Sequence, residues 1–350
     1  MRLLILTQKV DLNDDVLGFM HGWIAEFARQ CESVTVVCLY KGQYLLPANV
    51  KVLSLGKEEG VSRFKYIFNF YRYIWQERKN YDSVFVHMNP EYIVLGGLFW
   101  RLWGKTISLW YAHGYVPLAL RVAEKFTNII FTSTVSGCRL DSKKIKVIGQ
   151  GIDTDKFSIS NFQFKNDDLF KIVTVGRIAP AKDQKSLVLA ADILRSRGLK
   201  FKVNIIGGLG LADQSRYFDE LKQMALEKNL GDVINFVGPV ANEKILPYLH
   251  EADLFVNMGL TGSLDKVVPE AMSAGLPILT CNEALIEVLG DYTDRLMYPK
   301  ADSTRLADKI QEMTKLTPQE RQKIGQDLRE IVVKDHSLKN FVGEIVKSLA

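Results

Sequence analysis

Short runs of β-branched and other apolar residues alternate with longer segments of helical period along the chain. The strand-like runs include RLLILT, VTVVCLY and SVFVHM in the first half and KIVTVG, FKVNII and LFVNM in the second. Between such runs, segments such as 18–30, 62–79, 185–197 and 214–228 repeat apolar residues at helical spacing. Strands and helices in this repeated order are typical of parallel βαβ units. The sequence therefore predicts an α/β protein with doubly wound parallel sheets.

One stretch breaks this alternation and divides the chain. Residues 152–170 read IDTDKFSISNFQFKNDDLF, which is rich in Asp, Ser and Asn and has no regular period. Because 350 residues are many for one domain, two domains are expected. We predict an N-terminal Rossmann-like domain over 1–160 and a C-terminal one over 161–334, facing each other across a cleft. Ligands of such sheets bind at the carboxyl ends of the strands, so we look for chemistry in the loops that follow them.

The charge balance is mildly basic, with 45 Lys and Arg against 40 Asp and Glu and a net charge of +5. This excess is too small to indicate a nucleic-acid binder. It suits an acidic small substrate or a loose association with an anionic membrane face, and ordinary variation explains it equally well. The cysteines have no CxxC spacing, and the histidines have no spacing typical of metal ligands. We therefore expect buried thiols in a reduced compartment and no metal site.

The apolar stretches are too short for a signal peptide or a membrane span. The N-terminal apolar run stops at Thr7, and the stretch 93–103 is interrupted by Arg101. A spanning helix needs roughly 20 apolar residues. We expect a cytoplasmic protein.

Two cations occupy the loop between the strand KIVTVG and a helix that begins near residue 185. Arg177 follows the strand directly, and Lys182 lies just before the helix. A helix N-terminus attracts anions, and an arginine can bind a phosphate through two parallel hydrogen bonds. We interpret the loop as an anion site, with a solvated basic loop as the alternative.

A glycine turn, IIGGLG, follows the next strand. Gly207, Gly208 and Gly210 lack a Cβ atom and would let a ligand approach the backbone closely. Many turns between a strand and a helix use glycine for geometry alone, and that interpretation stays open.

The run TGSLDKVVPEAMSAG places one carboxylate deep in an apolar segment. Pro269 fits only the first turn of a helix, so the helix begins near Val267 and residues 262–266 form a loop led by glycine. Glu270 then lies about one turn into the helix, where an unpaired buried carboxylate is costly. Vicinal ribose hydroxyls would supply its partners. The alternative is a carboxylate that interacts with the helix dipole and binds no ligand.

Several of these strings together resemble those of a known enzyme family. The strings VGRIAPAKD, IGQGIDTDKF, IIGGLG, INFVGPV and VVPEAMSAGLPIL are similar, in order and spacing, to those of the family 4 retaining glycosyltransferases. The resemblance extends from about residue 107 to 281, with a looser match in architecture over the rest of the chain. It implies the GT-B fold, and a last helix within 335–350 that returns to the N-terminal domain.

The resemblance also implies an activity. Enzymes of this family move a sugar from a nucleotide-diphosphate donor to a hydroxyl acceptor and retain the anomeric configuration. The expected protein is a metal-independent hexosyltransferase of glycan biosynthesis, with no cofactor besides the donor, acting on a glycan, lipid-linked or other acceptor. A nucleotide-sugar epimerase of similar fold and a catalytically impaired nucleotide-sugar binder are the rival interpretations.

The matched positions carry implied roles. Arg177 and Lys182 match the basic pair that binds the donor diphosphate, and Gly18 is similar to the glycine whose backbone approaches it. Glu270 matches the second glutamate of a two-glutamate motif, which holds the ribose. His113, in YAHGYV, resembles the histidine beside the reacting sugar carbon. A buried imidazole satisfied by backbone groups is the alternative for His113.

The base end of the donor is assigned to the remaining matched loops. Val240 falls where the main chain of the family meets the nucleobase. Gly207 and Gly208 are assigned with it to the ribose and base.

One position departs from the family pattern. Gly262 stands where the first glutamate of the motif is expected, and in the family that acid contacts hydroxyls of the donor sugar. We hypothesise that Asp265 replaces it, and that Lys266 offsets the added charge beside the diphosphate. Ser263 belongs to the same loop, residues 262–266, which is here called the donor-sugar loop. The alternative is that Asp265 only caps the helix.

Residues 63–79 read RFKYIFNFYRYIWQERK, a densely aromatic and basic segment of helical period. One face of this helix is predicted to be core. The other could contact an acceptor or the surface of a membrane, because aromatic and basic side chains favour that interface. Peripheral contact with an inner membrane face through 63–79 therefore stays an open expectation.

Overall fold

The computed structural model describes residues 1–158, 164, 168–209 and 214–350, with only the backbone at residue 243. The chain forms two compact units. The first combines residues 1–151 with residues 336–350, and the second contains residues 152–335. Each unit is built on its own sheet, and in both sheets every paired strand runs parallel to its neighbour.

The sheet of the first unit has the strand order β3-β2-β1-β4-β5-β6-β7. Central strands such as LLIL of β1 are buried on both faces, which explains their continuous apolar sequence. The strands are β1 (Arg2–Val10), β2 (Ser33–Lys41), β3 (Val50–Ser54), β4 (Ser83–His87), β5 (Thr106–Trp110), β6 (Ile129–Thr132) and β7 (Ile145–Val147). The helices between them are α1 (Phe19–Gln30), α2 (Arg63–Gln76), α3 (Glu91–Leu102) and α4 (Leu118–Phe126).

The sheet of the second unit has the strand order β10-β9-β8-β11-β12. Its strands are β8 (Phe170–Val175), β9 (Phe201–Ile206), β10 (Ile234–Gly238), β11 (Leu254–Asn257) and β12 (Ile278–Thr280). Its helices are α5 (Gln184–Ser196), α6 (Gln214–Glu227), α7 (Leu246–His250), α8 (Val267–Ser273), α9 (Ile286–Leu289), α10 (Thr293–Leu296), α11 (Ser303–Thr314) and α12 (Pro318–Asp335). The strand order reverses between β8 and β11, and that switch point is where such sheets bind ligands.

The last helix, α13 (Leu338–Leu349), packs in the first unit. Phe341 lies against Trp23 of α1, with ring centroids 4.3 Å apart, and the Trp23 indole Nε1 donates to the Gly151 carbonyl at 2.8 Å. The two helices share a core cluster under one face of the sheet, while α2, α3 and α4 cover the other face.

The observed division between the units lies at 151/152, whereas the sequence prediction places it at 160/161. The physical reason is that Ile152, Phe157 and Phe164 pack into the core of the second unit. The irregular sequence around them signals a connection, but their apolar side chains already belong to the second unit.

Helices α4, α10 and α12 are not among the helical segments that the sequence pattern predicts. Helix α4 is short and follows Pro117, α10 has only 4 residues, and α12 is largely polar, with Ile324, Leu328 and Val332 on its buried side. No helix within the described ranges has the length and apolar composition needed to cross a bilayer. The cytoplasmic location stays a prediction.

Candidate active site

Two loops meet at the switch point of the second sheet. The loop after β8 passes through a short 3₁₀ turn, Pro180–Lys182, before α5 begins at Gln184. The loop after β11 leads to α8, which begins at Val267 as predicted. A hydrogen bond of 3.0 Å from the Leu260 amide to the Ala181 carbonyl ties the two loops together. Residues of both loops are therefore brought to one edge of the sheet.

Lys182 and Asp265 form an ion pair across these loops. The ammonium of Lys182 contacts Asp265 Oδ1, and Asn257 Nδ2 donates to Asp265 Oδ2 at 3.1 Å. The side chains of Lys182 and Asp265 are only 18% and 12% exposed. Gly259 makes room for this arrangement, because a Cβ atom at that position would lie 2.4 Å from Asp265 Oδ2.

This pairing corrects two expectations about the loop. Asp265 is not a side-chain cap of α8, because Lys182 and Asn257 occupy its carboxylate and no side-chain cap is found at the described start of that helix. Lys266 is not the cation that offsets Asp265, because Lys182 has that place. Lys266 interacts instead with the carboxylates of Glu270 and Asp153.

A series of hydrogen bonds between buried polar residues holds Asn257, which in turn holds Asp265. Thr280 Oγ1 donates to Asn257 Oδ1 at 3.0 Å, and the Asn282 amide donates to Thr280 Oγ1 at 3.0 Å. Asn282 Nδ2 donates to the Ser263 carbonyl at 2.7 Å, so this series of hydrogen bonds ends at the donor-sugar loop. These supporting residues are not among the sequence predictions. Their signal is a polar side chain at the carboxyl end of an apolar strand, in LFVN and ILTCN.

Glu270 is 3% exposed and lies in the first turn of α8. Its Oε1 accepts from Asn242 Nδ2 at 3.1 Å, and Asn242 Oδ1 in turn accepts from Lys156 Nζ at 3.0 Å. Burial raises the pKa of Glu270, while Lys266, Asn242 and Lys156 act in the opposite direction. Burial lowers the pKa of Lys266 to about 8, although the Glu270 charge favours the ammonium form.

Asn242 and the charge of Lys266 thus supply part of the stabilisation that the buried Glu270 carboxylate requires. From the sequence, ribose hydroxyls are the expected partners of this carboxylate, and neither Asn242 nor the charge of Lys266 is foreseen. Residue 242 lies in the loop after β10, so its side chain also comes from the carboxyl end of a parallel strand. The helix-dipole alternative and ribose binding are both compatible with this position.

Arg177 is exposed at the end of β8, and its carbonyl accepts from Gln184 Nε2 at 2.8 Å. The Ile178 amide donates to the Gly208 carbonyl at 2.9 Å, so the glycine turn runs beside this loop. A Cβ atom on Gly207 would lie 1.9 Å from the Gly176 carbonyl oxygen. Close packing of two backbones therefore requires a glycine at 207. Gly210 lies outside the described residues.

The donor-sugar loop is buried at its start. Gly262 is buried with φ of +67°, in the left-handed region that glycine adopts freely. Ser263 is also buried, and its hydroxyl lies 3.2 Å from that of Thr261. Val240 is half-buried and packs against the core of the second unit.

Asp183 gives the loop after β8 its tight turn. Its φ is +46°, which is uncommon for a residue other than glycine and concentrates at functional sites. Its carboxylate accepts from the Ser186 hydroxyl at 2.6 Å. The sequence does not reveal this strained backbone, because nothing in VGRIAPAKD marks the residue.

His113 and Gly18 belong to the first unit. His113 follows β5 and is exposed, so the alternative of a buried imidazole is wrong; its Nδ1 accepts from the Tyr115 amide at 3.0 Å. Gly18 is buried before α1, where a Cβ atom would lie 2.4 Å from the Asp14 carbonyl oxygen. Asp14 pairs with Lys9.

No cluster of His, Cys, Asp and Glu side chains suited to a metal ion is found in the parts of the chain that the structure covers. The charged side chains of the two loops at the switch point include Arg177, Lys182, Asp183 and Asp265.

Comparison with known proteins identifies the family. The family described as Glycosyl transferases group 1 matches residues 155–330, which is half of the chain. This chain belongs to the glycosyl transferases group 1. The matched region coincides with the second unit, so the family assignment covers Arg177, Lys182, Asp265 and Glu270.

Curated relatives match about half of this glycosyl transferases group 1 chain. The amylovoran biosynthesis glycosyltransferase AmsK of Erwinia amylovora is 30% identical over 178 residues, which are 49% of this chain and 42% of AmsK. A GDP-mannose-dependent alpha-(1-6)-phosphatidylinositol monomannoside mannosyltransferase of Mycobacterium tuberculosis is 25% identical over 212 residues, 52% of this chain and 53% of that protein. The match thus spans about half the length of each relative.

Solved structures match the entire chain. HepE of Anabaena in complex with UDP aligns with a TM-score of 0.77 and 16% identity, covering 100% of this chain and 99% of HepE. The apo structure of OtsA aligns with a TM-score of 0.75 and 10% identity, covering 100% and 99%. These similarities establish the predicted GT-B fold.

Proposed function

We propose that this chain transfers a hexose from a nucleotide-diphosphate donor to a hydroxyl group of an acceptor, with retention of the anomeric configuration. The observation that carries the proposal is the ion pair of Lys182 and Asp265 at the switch point, on a loop that also contains the exposed Arg177. A cation held at a strand's carboxyl end, next to a helix N-terminus, suits the diphosphate of such a donor.

The chemistry depends on where charge develops. When the glycosidic bond breaks, negative charge grows on the leaving diphosphate. Cations already in position stabilise that charge at little cost in reorganisation. Asp265 and Asn257 hold Lys182 at the sheet edge before any donor arrives, and Arg177 lies on the same loop. In this proposal the two cations do the work that a divalent metal does in other transferases.

The donor class is supported by relatives of this fold. Structures of HepE contain UDP and UDP-glucose, and the mycobacterial relative is named as GDP-mannose-dependent. We propose a nucleotide sugar as the donor here. Glu270, held by Asn242, would accept the ribose hydroxyls. The two loops that contain Gly207 and Gly208, after β9, and Val240, after β10, would meet the ribose and base.

The donor sugar is assigned to the loop that contains Gly262, Ser263 and Asp265. Asp265 has a carboxylate at the site edge and could accept a sugar hydroxyl while it orients Lys182. His113, exposed after β5, is proposed to lie beside the reacting carbon, and the backbone at Gly18 near the donor phosphate. The acceptor is proposed to be a hydroxyl of a glycan or a lipid-linked saccharide.

A second candidate is a protein that binds a nucleotide sugar and transfers it poorly or not at all. The observation that favours it is the backbone at Gly262, whose φ of +67° strains any residue with a side chain. The loop is therefore not shaped for the glutamate that the resemblance places there. This candidate keeps donor binding and lacks turnover.

A thermal-shift screen against UDP-, GDP- and ADP-sugars tests the proposal first. A donor at a hundredfold excess over its Kd stabilises the folded state by about 2.7 kcal/mol, so one nucleotide should raise the Tm. The matched pair of variants is Lys182→Gln and Lys185→Gln, because Lys185 is exposed in the first turn of α5. We expect the shift to disappear in the first variant and to persist in the second.

Turnover separates the candidates. Transfer to a saccharide acceptor, with the product linkage assigned by NMR, supports the retaining transferase. Binding without transfer or donor hydrolysis supports the impaired binder, and conversion of the donor sugar to its epimer supports an epimerase. If no nucleotide sugar stabilises the protein, the proposed function is wrong.

A further inference from the structure

Helices α2 and α3 leave a row of large apolar side chains uncovered on the first unit. On α2, Phe64 is 86% exposed, Phe68 58% and Trp75 54%. These positions follow helical spacing, so they form one stripe along the helix. The opposite side of α2 is core, where Phe70 and Ile74 are buried. The exposed stripe is therefore separate from the buried face of α2, which packs in the core.

The stripe continues on α3. Tyr71 of α2 contacts Phe99, with ring centroids 5.7 Å apart, and Trp75 contacts Trp103 at 5.6 Å. Beyond them, Leu98 is 56% exposed and Leu102 73%. The aromatic contacts join the two helices into one surface, here called the α2–α3 face, whose exposed members are Phe64, Phe68, Trp75, Leu98 and Leu102. A contiguous apolar surface of this kind marks an interaction site.

Positive charge borders the α2–α3 face. Residues 63–79 contain five cations and one carboxylate, Glu77. Glu77 is buried and paired with Lys51 at 2.7 Å, so it does not neutralise the outer surface. The five cations are Arg63, Lys65, Arg72, Arg78 and Lys79, and among the described residues none of them forms an ion pair.

Two of the cations lie directly over exposed rings. Lys65 Nζ is 5.1 Å from the ring centroid of Phe68, and the Arg78 guanidinium is 4.6 Å from that of Trp75. Cationic heads beside aromatic rings match the interface of a bilayer, where the rings enter the headgroup region and the cations meet anionic lipid.

A second copy of the chain fits this surface poorly. A twofold symmetric dimer places the same patch of each copy against the other, which would bring two sets of unpaired cations together. Like charges brought together in an interface are costly. An anionic bilayer carries the opposite charge, so binding to it brings no like charges together.

We propose that the α2–α3 face binds the surface of an anionic lipid bilayer, with Phe64, Phe68 and Trp75 entering the headgroup region. The proposal concerns the first unit alone and does not depend on the transfer reaction. Each cation near an anionic surface strengthens binding roughly fivefold, so the five cations and the apolar stripe act together.

The test is flotation of the full chain with two kinds of vesicle, phosphatidylcholine alone and an equal mixture of phosphatidylcholine and phosphatidylglycerol. The face variants are Phe64→Ser/Phe68→Ser and Lys65→Gln/Arg72→Gln. Controls with matched chemistry are Leu226→Ser/Ile286→Ser and Lys200→Gln/Lys315→Gln, at exposed positions of the second unit. All of these side chains are exposed, so each variant should fold, which circular dichroism and the Tm verify.

We expect the wild type to float with the anionic vesicles and to remain unbound with the neutral ones. The cation variant should bind about 25-fold more weakly, and the aromatic variant at least about tenfold more weakly. The controls should bind like the wild type. No flotation with anionic vesicles, equal flotation with neutral ones, or equal losses in the controls would overturn the proposal. Self-association that the aromatic variant abolishes, without vesicle binding, would assign the face to a second copy.

Discussion

Lys182 and Asp265 are separated by 83 positions in the sequence, yet their side chains form an ion pair where the strand order of the second sheet reverses. The carboxylate is also held by Asn257, so the cation is oriented before a ligand is present. An anion that binds Lys182 must share it with Asp265. This relationship determines what several substitutions should do.

Replacing Asp265 with Asn separates its two proposed roles. The variant keeps an acceptor for Asn257 and loses the charge that pairs with Lys182. We expect a nucleoside diphosphate without a sugar to bind as well as before or more tightly, because a competing anion is gone. Turnover should fall roughly 10- to 100-fold, the value of a hydrogen bond to a charged group.

Calorimetry with the diphosphate and a transfer assay provide these two readouts. Asp291→Asn, at an exposed position of the 3₁₀ turn Gly290–Tyr292, is the control. Unchanged turnover in Asp265→Asn would show that the Asp265 carboxylate makes no contact with the donor sugar that transfer requires.

Gly259→Ala should displace the Asp265 carboxylate without unfolding the protein. The new Cβ atom would lie 2.4 Å from Asp265 Oδ2, and a side-chain carboxylate can rotate away. We therefore expect a phenotype close to that of Asp265→Asn, with a Tm near the wild-type value. Gly231→Ala is the matched control, since a Cβ atom there meets nothing within 4 Å. A fully active Gly259→Ala variant would show that the position of Asp265 does not matter.

Lys266 should give the unfolding free energy a distinctive pH dependence. Its pKa falls from 10.5 to about 8 on folding, because burial disfavours the ammonium form. Between these values the unfolded chain holds a proton that the folded chain has released, so stability rises with pH. Compared with Lys266→Gln, the wild type should gain up to about 1.4 kcal/mol per pH unit across that window.

Urea unfolding of both proteins at a series of pH values measures this difference. Lys315→Gln, at an exposed position, should run parallel to the wild type. Parallel curves for wild type and Lys266→Gln would mean that Lys266 titrates as an ordinary surface lysine.

Glu270→Gln should weaken nucleotide binding through the ribose. An amide donates as well as accepts and carries no charge, so it replaces the carboxylate poorly toward two hydroxyl donors. We expect affinity for the nucleotide found in the screen to fall roughly tenfold or more. Affinity for its 2′,3′-dideoxy analogue should be the same for wild type and variant. An equal loss for both compounds would place the ribose elsewhere.

The sequence predicts the architecture well because periodicity reports burial directly. Strands buried on both faces must be continuously apolar, and Pro269 restricts the start of α8 to within a few residues. The loops at the carboxyl ends of β8 and β11 are identifiable for the same reason. Arg177 stands out as a charge directly after an apolar strand, and Lys182 as a charge just before the next helix.

Contacts between side chains of different loops are harder to predict, because the number of residues between two positions does not determine their distance in the fold. The sequence offers the helix start and Lys266 as partners of Asp265, and the structure pairs it instead with Lys182, which is far more distant in sequence. Asn242 and Asn282 are polar residues in loops, and only the fold shows that one meets Glu270 and the other Ser263. The observed boundary between the units differs from the predicted one because two apolar residues, Ile152 and Phe157, are too few to form a recognisable helix or strand pattern.

A crystal structure with the stabilising nucleotide sugar bound would show whether Lys182 and Arg177 bind the donor diphosphate. We expect diphosphate oxygens within hydrogen-bonding distance of Lys182 Nζ and the Arg177 guanidinium, at the edge where β8 and β11 end. A donor bound in the second unit with its diphosphate remote from both side chains would contradict it.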